Sequence, residues 1–199
     1  HIGSQILSNV PYQKMIRVMN NFLKKVSVNF EYIDFGGGMG IDYASNKKTF
    51  DYKKLALEIN KFSKRNECKI ILEPGRSIIG DTAVLISKVI YIKENQNKDF
   101  IILDAGMNDL IRPALYNAKH MIIPANKSSK KSKKEYDFVG PICETSDRFL
   151  KIKKFQKLNE GDIVILKDVG AYGYVLSSNY NVRPMPKEVL VDKSKTQII

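Results

Sequence analysis

Cysteine is scarce: the 199 residues hold two, Cys68 and Cys143, far apart and in no metal-ligand spacing. That excludes a disulfide framework and a cysteine-built metal centre, and no metal site is expected; a reduced, cytoplasmic compartment is. No apolar run approaches the roughly 18 residues of a membrane span, and no signal-peptide pattern is present. Neither a membrane nor a secretory reading has support. Acidic residues are the minority, 21 against 33 Lys and Arg, for a net charge of +12. That excess invites a nucleic-acid reading, but the lysines are scattered among asparagines and isoleucines. Their one cluster, K-S-S-K-K-S-K-K at 127–134, has no aromatic residue for base stacking and no apolar periodicity. It reads as a solvated loop. There is no internal repeat, and the chain opens on His1 rather than methionine, which reads as a start inside a longer coding sequence.

What is present is an ordinary core-forming composition, 43% hydrophobic, enough for one or two domains. Pro11 suits a first helical turn, and Met15, Val18, Met19, Phe22 and Val26 follow at helical spacing. Residues 30–35 read as a strand. Asp51 is placed to cap a second amphipathic helix with Leu55, Ile59 and Phe62 on one face. Residues 69–73 form the next strand, and Pro74-Gly75 stops it abruptly. The stop leaves Glu73 and Arg76 at a strand's carboxyl end, where α/β proteins bind ligands. This alternation suggests a (β/α) barrel or a doubly wound sheet. Three strands cannot close an eight-stranded barrel, so a barrel requires more chain upstream.

Beyond Gly80 the texture changes. Residues 82–94 are long and β-branched, and strands are expected at 100–104, 121–123, 136–139, 163–167 and 188–191. A short helix within 105–118 is interrupted at Pro113. These features divide the chain into residues 1–81, α/β, and residues 82–199, all-β.

The run Gly36-Gly37-Gly38-Met39-Gly40 is neither a dinucleotide fingerprint nor a P-loop, because the third glycine and the Gly-Lys-Ser/Thr are missing. A tight turn needs one glycine. Several side-chain-free residues in a row favour backbone N–H groups gathered around an anion such as phosphate.

The chain resembles the diaminopimelate decarboxylases, pyridoxal-phosphate enzymes of the fold type III, alanine-racemase-like class. The resemblance runs through H-I-G-S-Q-I (1–6), D-F-G-G-G-M-G-I-D-Y (34–43), E-P-G-R-S-I-I-G (73–80), D-A-G-M-N-D-L-I-R-P-A-L-Y (104–116), G-P-I-C-E-T-S-D (140–147), G-A-Y-G-Y (170–174) and S-N-Y-N-V-R-P-M-P-K-E-V-L-V-D (178–192). It implies the later strands of a (β/α)8 TIM-like barrel at 1–81, then a β-sandwich or barrel-like domain at 82–199 that completes the active site and dimer interface. The family anchors its cofactor through a lysine in a Y-A-x-K-like strand. No such motif occurs here, so the chain reads as a fragment, unable by itself to attach the cofactor.

The resemblance also implies roles. His1 would stack on the cofactor ring and Glu73 would face its pyridine nitrogen. Ser4, Gly36, Gly37, Gly38 and Arg76 would hold the phosphate, with the Tyr172 phenol added. Arg76, Arg112, Tyr116 and Tyr172 would take the distal end of the substrate, meso-diaminopimelate, and Glu144 its distal amine. In a homodimer, Cys143 and Glu144 would reach into the partner's site, with Cys143 donating a proton; read by itself, Cys143 is a small buried hydrophobe. His120 is left as a core or surface residue.

Two further function classes compete with the enzyme: a non-catalytic homologue that binds or regulates, and a basic RNA-binding domain centred on 127–134. Glu73, Cys143 and Arg112 are all present, against the former. Within the enzyme class the runner-up is an ornithine or arginine decarboxylase, whose substrate lacks a distal carboxylate and for which an acid is expected where Arg112 stands.

Overall fold

Pro11, whose ring fixes φ, sits in the first turn of helix α1 (Val10–Leu23). The computed structural model describes residues 1–43 and 49–199, in two units, His1–Asp81 and Thr82–Ile199. In the first unit, strand β1 (Tyr32–Asp34) follows α1, then helix α2 (Tyr52–Asn66), strand β2 (Lys69–Ile71) and the single turn α3 (Arg76–Ile79). The Asp51 side chain accepts the Lys54 N–H at 2.9 Å and so caps α2 as expected.

Strands β1 and β2 pair in parallel, Ile33 opposite Ile70. The pairing continues past both strands, with Phe35 N–H donating to Ile71 O at 3.0 Å and Glu73 N–H to Gly36 O at 3.0 Å. On the other side Ile6 bridges Met39 in parallel. Ile6 N–H donates to Gly38 O and Gly40 N–H to Ile6 O, both at 2.9 Å. Three chain segments therefore end side by side, and the three candidate motifs lie at those ends. Helices cover them through two small cores: Tyr12, Met39, Phe50 and Leu55, and Ile33, Phe35, Phe62 and Cys68. The Phe35 and Phe62 rings meet edge-on at 5.1 Å.

The buried face of α1 differs from expectation. Val18 and Phe22 are 65% and 49% exposed, whereas Tyr12, Met15, Ile16, Met19 and Leu23 point inward. That set also has 3.6-residue spacing, and the fully buried Tyr12 anchors it.

In the second unit, β3 (Leu85–Lys93) and β4 (Lys98–Leu103) precede the short helix α4 (Arg112–Tyr116), then β5 (Ile122–Pro124), β6 (Glu135–Val139), β7 (Arg148–Ile152) and β8 (Ile163–Leu166). They form one six-stranded sheet in the order β5-β8-β3-β4-β6-β7, antiparallel except between β4 and β6. Alternate residues such as Val89, Ile101, Leu103, Phe138, Val164 and Leu166 are fully buried on one face. Asp137, also fully buried, ties three strands: Lys98 Nζ lies 3.1 Å from one carboxylate oxygen and Arg148 Nε 2.9 Å from the other, the latter an ion pair without hydrogen-bond alignment.

Pro113 lies in the first turn of α4 rather than interrupting a longer helix, because its missing N–H is harmless there. Strand β7 and the exposed hairpin of β9 (Val189–Asp192) with β10 (Lys195–Ile198) include two strands, β7 and β10, that the sequence reading missed. The lysine run is exposed but paired: Ser132 N–H donates to Phe155 O at 2.8 Å, Lys157 N–H to Lys130 O at 2.9 Å, and Lys134 Nζ meets Asp99 at 3.0 Å.

Candidate active site

Close approach of backbones explains the glycine run first. A Cβ at Gly36 would lie 2.8 Å from His1 Cα. One at Gly37 would overlap the Glu73 carbonyl oxygen, and one at Gly38 the Gly3 carbonyl oxygen. Each glycine thus lets neighbouring strand ends touch, a packing reason that spacing alone did not reveal. Two of the amides expected to face an anion have protein acceptors: Gly36 N–H donates to Asp34 Oδ1 at 2.7 Å and Gly37 N–H to His1 Nδ1 at 3.2 Å. Beneath them the Tyr12 hydroxyl donates to Gly37 O at 2.8 Å. Burial pushes the Tyr12 phenol above its ordinary pKa.

Arg76 opens α3 and is half-buried. Its Nη1 donates to the Tyr43 hydroxyl at 2.8 Å and its Nη2 to Ser4 Oγ at 3.2 Å. A serine oxygen that accepts from Arg76 keeps its own O–H to donate. A guanidinium flanked by two hydroxyls at a strand's carboxyl end is a donor set matched to a phosphate dianion. Glu73 and His1 are exposed at the same strand ends.

The second unit holds the other candidates. Arg112 is 5% exposed and His120 1%; Arg112 Nη1 donates to His120 Nε2 at 2.8 Å, and His120 Nδ1 lies 2.9 Å from Lys167 O. Tyr116, on the same short helix, is 64% exposed. Tyr172 is exposed and has φ of 62°, a left-handed backbone that costs energy for a residue with a side chain. Cys143 is exposed, not the buried hydrophobe that its residue type suggested, because it occupies the tip of an irregular loop between β6 and β7. Beside it Glu144 Oε1 accepts from the Tyr180 hydroxyl at 2.6 Å, which raises the Tyr180 pKa. Glu144 and Tyr180 border a cavity of about 350 Å³ with Met107, Asn108, Ile111 and Ser178.

That loop is closed by a residue the sequence reading did not single out. Asp147, 3% exposed, accepts Met107 N–H at one oxygen and Ile142 N–H at the other, both at 2.7 Å. Burial pushes its carboxyl above the ordinary range, and the two amide bonds offset part of the shift. Asp109 behaves likewise, holding Gly106 N–H at 2.7 Å. Asp147 and Tyr43 lie inside the quoted motifs, so their position was a usable signal; His120 and Tyr12 carried none beyond proximity to Arg112 and helical phase. Among the described residues no group of metal-ligating side chains occurs, and no helix is long and apolar enough to cross a membrane.

Known proteins match this arrangement closely. The family described as pyridoxal-dependent decarboxylase, C-terminal sheet domain, matches residues 13–170. The diaminopimelate decarboxylase of Aquifex aeolicus is 41% identical over 202 residues, covering 100% of this chain and 48% of the relative. That of Vibrio cholerae is 39% identical over 205 residues, with 100% and 48% covered. The crystal structure of diaminopimelate decarboxylase from M. jannaschii in co-complex with L-lysine superposes with a TM-score of 0.92 at 35% identity, covering 100% of this chain and 47% of that one. The chain thus spans about half the length of these relatives. With more than half of its residues matched by the family, the chain belongs to the pyridoxal-dependent decarboxylases and carries their C-terminal sheet domain.

Proposed function

We propose that the chain works as part of a diaminopimelate decarboxylase, which releases CO2 from meso-diaminopimelate and leaves L-lysine. The observation that carries this reading is Arg112: a guanidinium buried to 5% exposure, in the motif at 104–116 shared with such enzymes. A guanidinium presents a planar fork of donors that matches a carboxylate, the kind of anion it binds in two-pronged fashion. The distal carboxylate of diaminopimelate is such an anion, and ornithine and lysine lack it. In this reading the first unit supplies later strands of a TIM-like barrel and the second the β domain. The enzyme is a cytoplasmic homodimer whose Cys143–Glu144 loop serves the partner's site.

Ser4 and Arg76 hold the phosphate of pyridoxal 5'-phosphate, with Gly38 and Tyr172 contributing. When bound, the cofactor supplies an electron-withdrawing ring that accepts the electron pair left as CO2 departs. Glu73 keeps a proton on the ring nitrogen, and His1 packs against the ring. Arg112, Tyr116 and Arg76 bind and orient the distal carboxylate. Glu144 takes the distal ammonium. Cys143 Sγ holds the proton that the α carbon receives.

The test is CO2 release by the full-length enzyme from diaminopimelate, ornithine and lysine. A site built for the distal carboxylate should prefer diaminopimelate by roughly 10⁴–10⁵-fold. Comparable rates with ornithine would refute the assignment.

A further inference from the structure

His120 has no place in the site as assigned, yet it is one of the most buried polar residues in the chain, 1% exposed. Both ring nitrogens are engaged, and the partners fix which one carries the proton. Lys167 O can only accept, so Nδ1 must be N–H. An arginine nitrogen can only donate, so Nε2 must present its lone pair to Arg112 Nη1, 2.8 Å away. The ring in this arrangement is neutral. We infer that His120 is a positioning residue that holds the Arg112 guanidinium in the orientation that receives the substrate's distal carboxylate.

The inference rests on the proposed role of Arg112 and adds the device that aims it. Lys167 is itself fixed, because its N–H donates to Met121 O at 2.9 Å. A chain of bonds therefore runs from the β5–β8 ladder through Lys167 O and the imidazole to the guanidinium. Arg112 begins a helix of only five residues, which gives little rigidity of its own. An imidazole acceptor held from behind by Lys167 O fixes the plane of the guanidinium fork at Nη1.

The test uses three substitutions at His120 and one at Arg112 in the full-length holoenzyme. Gln retains an acceptor near Nε2. Asn retains a donor near Nδ1 but cannot reach the guanidinium, and Ala loses both. The KM for diaminopimelate should rise about tenfold in His120→Asn and His120→Ala, with kcat within about twofold, and fall back to within about threefold of the parent in His120→Gln. Combining His120→Asn with Arg112→Ala should raise KM no further than Arg112→Ala alone. A parent-like KM in His120→Asn, or additive effects in the double variant, would overturn the inference while leaving the proposed function standing. An unchanged KM in Arg112→Ala would overturn the proposed function, and the inference with it. A second measurement needs no substitution at His120: nitrogen NMR of its ring in the parent should show Nδ1 protonated and Nε2 bare, and a protonated Nε2 would contradict the positioning role even if every His120 variant failed to fold.

Discussion

Replacing Asp147 with alanine tests how the Cys143–Glu144 loop is held. The carboxylate satisfies two amide groups from separate segments, Met107 N–H and Ile142 N–H, each at 2.7 Å. The backbone closes the same loop, with Gly140 N–H donating to Asp147 O and Asp147 N–H to Glu144 O, both at 3.1 Å. Alanine leaves one buried and one half-buried donor without acceptors, at about 1–3 kcal/mol each. Relief from burying a charge returns part of this, so the net loss is about 2–4 kcal/mol. Asparagine keeps one acceptor but turns an NH2 toward the other amide, and should lose about half as much.

The sign with pH follows from burial. The folded Asp147 carboxyl lies above its unfolded value, so the folded state binds the proton more tightly. The parent should therefore gain stability relative to Asp147→Asn as pH falls through the raised folded pKa, and lose that advantage as pH rises through it. Urea unfolding of the full-length enzyme at several pH values measures both effects, and turnover should fall in parallel because Cys143 and Glu144 lose their support. A loss below about 0.5 kcal/mol, the level of an ordinary surface substitution, would refute the clamp.

Two more predictions concern the strand ends. Gly37→Ala should destabilise the first unit by about 2–3 kcal/mol or more, since its methyl would meet a backbone carbonyl that cannot turn aside; a melting temperature within a degree of the parent's would contradict this. Tyr12→Phe should cost about 1–2 kcal/mol by leaving the buried Gly37 carbonyl without its 2.8 Å donor, read from the same urea curves, and a neutral result would mean that another donor replaces it.

Much of the fold is legible in the sequence, because the signals are local. Pro11 and Asp51 mark helix starts, Pro74-Gly75 ends a strand, and β-branched runs give β3, β4, β6 and β8. The phase of α1 is not, since Val18 and Tyr12 differ only in what packs against them. Strand β7, R-F-L-K-I, is short and carries charges at Arg148 and Lys151 without strand alternation, and its pairing with β6 is what makes it a strand. In the site, residue types pointed to Arg76 and Glu73, because charge next to a turn is visible in one dimension, and the resemblance added Arg112. The partners of those residues are not. His120 meets Arg112 across a helix end and Asp147 joins two loops, contacts that exist only after folding. The glycine run shows the converse: a pattern suggestive of anion binding also has a packing cause in the approach of Gly3, Glu73 and His1.

The central claim is that Arg112 makes a distal carboxylate mandatory, and the ratio of kcat/KM for diaminopimelate to that for ornithine measures it directly. In the full-length parent that ratio should be roughly 10⁴–10⁵. Arg112→Lys should keep the charge, lose the two-pronged geometry and lower turnover of diaminopimelate. Arg112→Ala should lower it further and narrow the ratio by about a hundredfold or more. An unchanged ratio in Arg112→Ala would contradict the account.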